Sequence, residues 1–81
     1  MPTVLRMAGF RFFFFSNEGD EPPHVHVERA EGYAKYWLQP EVRLAWSKRF
    51  RQRERTRLQR LVEQHQELFL EKWDEYFPDS V

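Results

Sequence analysis

The stretch Asn17-Glu18-Gly19-Asp20-Glu21-Pro22-Pro23-His24-Val25-His26-Val27 joins a polar, acidic loop to an alternating segment that predicts a β-strand. Successive side chains of a strand point to opposite sides, so His24 and His26 share one face while the two valines share the other. The two imidazoles should stand roughly 6–7 Å apart along the strand and face water while the valines anchor inward. The proline pair keeps the approach to this strand extended, because proline disfavours helix in the residue before it.

Apolar or alternating segments on both sides of this strand, which spans about residues 24–29, predict an antiparallel sheet. The further strands are predicted over residues 3–7, 10–15, 33–38 and 42–46. Ala8-Gly9 reads as a two-residue hairpin turn, since glycine supplies positive φ, and Ala30-Glu31-Gly32 reads as a second turn. Pro40 ends the fourth strand.

The predicted turns set the register of these strands. With a turn at Ala8-Gly9, the facing pairs are Met7 with Phe10, Leu5 with Phe12, Arg6 with Arg11 and Val4 with Phe13. In the second hairpin, Lys35 and Trp37 join both histidines and Glu28 on one face. That face would stay wet if helices cover only the other side of the sheet.

After Phe50 the periodicity becomes helical. Largely apolar residues recur here, mostly at steps of three and four, and would form a wide stripe along a helix. They are Leu58, Leu61, Val62, His65, Leu68, Phe69, Trp73 and Tyr76. No Gly or Pro interrupts residues 51–77, so we expect one long helix or two short helices with a bend near His65. The chain is therefore predicted to be one α+β domain over residues 1–81. It should have an antiparallel sheet of four to five strands within residues 3–46 and C-terminal helices packed on one face.

Composition narrows the class of protein. The 81 residues contain no cysteine, which excludes disulfides and thiolate metal sites, while eight Phe, three Trp and three Tyr supply a core. No secretion signal and no membrane-spanning apolar run is evident, so we expect a soluble cytoplasmic protein without membrane contact. A domain this small often gains stability from a partner subunit, which favours a homo-oligomer such as a homodimer.

The charges sum to zero but are segregated. Seven Lys or Arg and one acid lie between Lys48 and Arg60, whereas six acids and one base follow from Leu61 onward. This asymmetry has three interpretations: phosphate binding, antiparallel pairing of two copies, or a solvated face with local pairs such as Glu54–Arg57 and Arg60–Glu63. The candidate nucleic-acid-binding residues are Arg49, Arg51, Arg53, Arg55, Arg57 and Arg60.

Three hypotheses apply to the histidine pair. His24 and His26 are candidate ligands of a divalent metal, with Glu28, Asp20 or Glu21 completing the shell, since imidazole and carboxylate suit zinc, nickel or iron. Alternatively, both histidines act as catalytic acid and base, with Lys35 stabilising a phosphorane-like charge, as in a metal-free ribonuclease. In the third hypothesis the rings only pack on Trp37 and bond to acids of the loop.

The loop itself has a geometric role in all three hypotheses. Asn17 and Gly19 are expected to shape its turn, and Glu21 to bond to backbone N–H groups. Pro22 and Pro23 stiffen the approach to the histidines.

Five stretches of the chain together resemble a small prokaryotic family called domain of unknown function 4160. They are Met1-Pro2-Thr3-Val4-Leu5-Arg6, Gly9-Phe10-Arg11-Phe12-Phe13-Phe14, Ser16-Asn17-Glu18-Gly19, Glu21-Pro22-Pro23-His24-Val25-His26-Val27 and Glu71-Lys72-Trp73-Asp74-Glu75-Tyr76-Phe77. The resemblance covers nearly the whole chain, and the Glu-Pro-Pro-His-x-His-Val core is specific to the family.

The resemblance implies a small intracellular α+β protein without an established activity. Genes of such proteins lie beside, or are fused with, those of a second small family, as in toxin–antitoxin modules, and some members are labelled transcriptional regulators. We therefore expect an interaction module acting with a partner protein encoded by a neighbouring gene. The alternative is a nuclease or phosphoesterase, metal-independent or metal-assisted, that uses His24 and His26.

Overall fold

The structure, a computed structural model, describes residues 3–78. Met1 and Pro2, which open the first of the resembling stretches, and residues 79–81 of the predicted single domain lie outside the described residues. The elements are β1 (Thr3–Met7), β2 (Phe10–Phe13), β3 (His24–Arg29), β4 (Gly32–Trp37), β5 (Arg43–Lys48), α1 (Gln52–Gln64) and α2 (Gln66–Tyr76). The strands form one antiparallel sheet in the order β1-β2-β3-β4-β5. The predicted α+β fold, a sheet followed by C-terminal helices, is confirmed.

The first hairpin has the predicted turn and most of the predicted register. Ala8 and Gly9 both have positive φ, at 54° and 82°, as a two-residue turn requires. The expected pairs of Leu5 with Phe12 and Met7 with Phe10 are observed. The expected pair of Val4 with Phe13 is wrong, because an irregularity between Thr3 and Leu5 shifts the register and sets Thr3 opposite Phe13.

The hydrophobic core lies between one face of the sheet and the two helices. Alternate strand residues turn toward the helices, as the period of two requires. The buried side chains of this core include Phe10, Phe12, Val25, Val27, Ala34 and Tyr36 from the sheet, and Leu58, Val62, Phe69 and Trp73 from the helices. Burying one such side chain stabilises a fold by roughly 1.5–3 kcal/mol, so this layer holds the helices on the sheet.

The helical region bends at His65, so of the two alternatives that the sequence left open, one long helix or two short helices, the structure has two. His65 has φ −112° and ψ 17°, which interrupts the helix, and its N–H donates to the carbonyls of Leu61 and Val62. The side-chain amides of Gln59 and Gln66 donate to the carbonyls of Val42 and Leu38, at 2.9 and 2.6 Å. These bonds tie both helices to the sheet around the β4–β5 connection. Within the described residues, neither helix has the length and apolarity needed to cross a bilayer.

The opposite face of the sheet carries the histidines. His24 pairs with Trp37 and His26 pairs with Lys35, so the predicted sharing of one face by these four residues is confirmed. Phe13 of β2 pairs with His26 from the other side. The loop over residues 14–23 then brings the chain from β2 to β3 and packs at the beginning of β3, which positions the site.

Candidate functional site

The two histidine rings lie side by side but are not presented to water. Their centroids are 5.0 Å apart, and His24 and His26 are 0% and 2% exposed. The expectation that both rings face water is therefore wrong. Aromatic rings from four different elements or segments enclose them, with centroids 4.5–5.6 Å away: Trp37 and Trp73 beside His24, and Phe13 and Phe15 beside His26.

A single carboxylate oxygen joins the two rings. Oε1 of Glu18, in the loop before β3, lies 2.8 Å from Nε2 of His24 and 2.7 Å from Nε2 of His26. One ligand atom from each of these three residues lies within 4.8 Å of the others. The Glu18 side chain is 21% exposed, so it forms the outer wall of an otherwise buried cluster. We call these three residues the His–Glu cluster.

The far nitrogen of each ring is also engaged. Nδ1 of His24 lies 2.9 Å from the carbonyl oxygen of Pro22, which can only accept, so this nitrogen carries a proton. Nδ1 of His26 lies 3.2 Å from the hydroxyl of Tyr33. Burial, with a smaller contribution from nearby Glu18 and Glu28, raises the pKa of Tyr33 to about 12, which keeps that hydroxyl protonated. Such partners orient a ring and leave its Nε2 directed at the Glu18 carboxylate.

Electrostatics favour an ionised Glu18 and a neutral His26. Burial lowers the pKa of His26, and the hydrogen bond and charge of Glu18 only partly offset this effect. Burial alone would raise the pKa of Glu18, but the hydrogen bonds and charges of the two histidines outweigh it and hold that pKa below its ordinary value. The cluster thus presents a carboxylate and at least one neutral imidazole near neutral pH.

The acids proposed from the sequence to complete the shell lie outside the cluster. Oε1 of Glu21 accepts from Nζ of Lys35 at 2.7 Å and is 4.0 Å from Nδ1 of His24. Glu28 pairs with Arg11 at 2.9 Å, and Asp20 is exposed. Lys35 lies opposite His26, as its candidate catalytic role requires, but its ammonium is bound to Glu21. The structure thus brings His24 and His26 together with Glu18.

Sequence reasoning missed Glu18 as a ligand, although it had identified the loop. The N–H of Glu21 donates to the carbonyl of Glu18 at 3.2 Å, so the loop turns back there and aims Glu18 at the strand. At Gly19 a Cβ atom would lie 2.6 Å from the Phe77 ring, so glycine allows the end of the helical region to pack on the loop. The carbonyl of Pro23 accepts from the N–H of Leu38 at 3.0 Å, and Asn17 is exposed at the turn.

The basic segment lies on and before α1. Arg49, Arg51, Arg53, Arg57 and Arg60 are exposed, while Arg55 is half-buried and donates to the carbonyl of Phe50. Glu54 binds Arg29 at 2.6 Å and the N–H of Arg51, where the sequence had suggested a local pair with Arg57. A role of these arginines in nucleic-acid binding stays a prediction.

Comparison with known proteins identifies a family. A family model described as "Domain of unknown function (DUF4160)" matches residues 9–74, a range that contains the whole His–Glu cluster. No curated protein and no solved structure matches the chain.

Proposed function

The chain belongs to the DUF4160 family, and we propose that it is a small cytoplasmic metal-binding module in which Glu18, His24 and His26 hold one divalent transition-metal ion. The family is a domain of unknown function, so the proposal rests on the geometry of the cluster. Zinc is the first choice among the metals that imidazole and carboxylate ligands suit.

The observation that carries the proposal is that both ring nitrogens of His24 face oxygen acceptors. Nδ1 donates to the carbonyl of Pro22, so with one ring proton Nε2 would point its lone pair at the ionised carboxylate of Glu18. Two electron-rich atoms 2.8 Å apart in a buried site require a positive charge between them. A second ring proton is one such charge. A metal ion is the other, and it would satisfy Nε2 of both rings and Oε1 of Glu18 together.

The separations in the cluster need only a small adjustment to hold a metal. Ligands about 2.0–2.2 Å from a tetrahedral zinc lie about 3.3–3.6 Å from one another. The observed separations between Oε1 and the two Nε2 atoms are 2.7 and 2.8 Å, so Glu18 must retreat by roughly 0.5–0.9 Å. Glu18 stands on a loop and is partly exposed, whereas the two rings are fixed by β3. The movable ligand is thus the one that has to move.

The surroundings favour a structural role for the metal. The histidine rings are enclosed by aromatic side chains, and a substrate phosphate would have to displace them to reach either Nε2. The nuclease or phosphoesterase alternative, with His24 and His26 as acid and base beside Lys35, has less support for this reason. A metal held by one loop residue and two β3 residues would fasten the loop over residues 14–23 to the sheet.

Zinc competition titrations test the proposal. Wild-type protein, purified in chelator, should take one equivalent of zinc from a chromophoric chelator. Glu18→Gln keeps the size of the side chain but removes the ionised oxygen, so the affinity for zinc should fall by at least about 100-fold. The matched control is His65→Ala, because His65 is the remaining histidine of the chain and its Nδ1 faces the carbonyl of Leu61. Wild-type protein without micromolar affinity, or Glu18→Gln with unchanged affinity, would overturn the proposal.

We further propose that the module acts with a partner protein, as in a toxin–antitoxin-like or regulatory pair. Tyr76 is 40% exposed and lines a surface groove together with Val4 and Phe14, which is apolar surface available for an interface. Light scattering after size exclusion should give either a homodimer, twice the 10.0 kDa of one chain, or a complex with the product of the neighbouring gene. A monomer that forms no complex with that product would count against the proposal of a partner protein.

A further inference from the structure

The face of the sheet away from the helices carries aromatic and basic side chains in alternation on its last two strands. Paired residues of an antiparallel sheet share a face, and the pairs here are Tyr33 with Lys48, Lys35 with Trp46, and Trp37 with Arg43. We call these six residues the β4–β5 face, and we infer that it binds single-stranded nucleic acid. This inference goes beyond the metal-binding proposal, since none of its residues is a ligand of the proposed metal.

The aromatic rings of the β4–β5 face are exposed or half-buried, and contacts with their neighbours hold them in place. Trp46 is 45% exposed, and its ring stacks on Tyr33 with centroids 5.2 Å apart and planes 11° from parallel. Trp37 is half-buried, and Nζ of Lys35 lies 4.5 Å from its ring centroid. Because these rings are already fixed by their neighbours, they lose little conformational entropy when a ligand binds. Rigid aromatic platforms of this kind stack nucleic-acid bases, and base stacking is the main sequence-tolerant contact of single-strand binders.

The charges of the β4–β5 face complement a phosphate backbone. Arg43 and Lys48 are exposed at opposite ends of β5. Two acids close to this face are neutralised within the chain, since Glu21 binds Lys35 at 2.7 Å and Glu28 binds Arg11 at 2.9 Å. A single strand offers unstacked bases, which the rings can stack on, and phosphates, which the flanking positive charges can bind. A duplex keeps its bases stacked inside and cannot offer them to rings on a sheet.

Anisotropy of a labelled oligothymidylate of about 12 nucleotides, within the usual site size of such proteins, tests the role of the rings. Trp46→Ala removes one base stack and should therefore weaken binding about 5- to 150-fold relative to wild type. Leu44→Ala is the matched control. Leu44 lies on the same strand and is 40% exposed, but it pairs with Tyr36 and points to the helix side, so its loss should leave affinity unchanged.

A second pair of variants tests the charges independently of the rings. Arg43→Gln with Lys48→Gln should reduce the slope of log affinity against log salt by about 1.4, at about 0.7 per phosphate contact. Arg53→Gln with Arg57→Gln removes the same charge from the helix side and distinguishes the two candidate surfaces: a site on the β4–β5 face predicts an unchanged slope, whereas a site on the helix arginines predicts a reduced one. Circular dichroism checks that each variant is folded. The inference is overturned if wild type does not bind the oligonucleotide or if Trp46→Ala binds as tightly as wild type. It is also overturned if the slope falls in the variant Arg53→Gln with Arg57→Gln and not in the variant Arg43→Gln with Lys48→Gln.

Discussion

Saturating zinc should raise the melting temperature of the wild-type protein by roughly 10–20 °C. A ligand that binds only the native state at 100 times its Kd stabilises it by about 2.7 kcal/mol, and each kcal/mol shifts the melting temperature of a domain this size by about 4–8 °C. Zinc should stabilise the native state selectively, because the ion would join the loop residue Glu18 to β3 only in the folded chain. Thermal unfolding followed by circular dichroism, with zinc and with chelator, measures it.

Two variants distinguish zinc binding at the His–Glu cluster from zinc binding elsewhere on the protein. At the same zinc concentration Glu18→Gln should unfold within about 2–3 °C of its temperature in chelator, because a 100-fold loss of affinity leaves about 0.4 kcal/mol of stabilisation, while His65→Ala should keep the full shift. A shift of the same size in wild type and Glu18→Gln would place the zinc elsewhere, and no shift in wild type would contradict metal stabilisation.

Trp73→Ala should lower the free energy of unfolding by about 3–5 kcal/mol, the usual loss for a buried Trp or Phe. Trp73 is 1% exposed, and its ring contacts those of Phe77, His24 and Phe14 at centroid distances of 4.3, 4.9 and 5.3 Å. It thus joins α2 to the helix-side core and to the His–Glu cluster. Since domains are stable by only about 5–15 kcal/mol, this loss is a large part of the total. Urea unfolding of the chelated protein measures it.

Trp46→Ala is the matched control for the loss at Trp73. The residue type and the substitution are the same, but Trp46 is 45% exposed and stacks on one ring, so the free energy of unfolding should fall by about 1 kcal/mol. Losses of equal size at the two positions would contradict the role given to Trp73. Zinc should restore part of the stability of Trp73→Ala if the His–Glu cluster survives the substitution, by the mass action that stabilises wild type.

Local patterns predicted most of the fold. The alternation of residues 24–27 placed His24 and His26 on one face, and the Ala30-Glu31-Gly32 turn set Lys35 and Trp37 beside them. The helical stripe and the lack of Gly or Pro predicted the helical region but left open whether it is one long helix or two short helices bent near His65. These features depend on the periodicity of apolar residues and on the residue types at turns, and both can be read from short stretches of sequence.

The surroundings of the histidines depend on contacts between distant residues, and the sequence did not predict them. The loop after β2 carries Glu18, Asp20 and Glu21, and only its path decides which carboxylate reaches the rings. That path depends on the close approach of Gly19 to Phe77 and on the bond from Leu38 to Pro23. Burial of His24 likewise needs Trp73, which lies 49 positions later in the chain. No periodic pattern encodes such contacts.

Anomalous diffraction at the zinc edge, from crystals of the zinc-loaded protein, tests the metal site most directly. We expect one peak about 2.0–2.2 Å from Nε2 of His24, Nε2 of His26 and Oε1 of Glu18, with Nδ1 of His24 still donating to the carbonyl of Pro22. A peak only at His65 or at surface acids, with Glu18 still hydrogen-bonded directly to both rings, would contradict the assignment of a metal to this cluster.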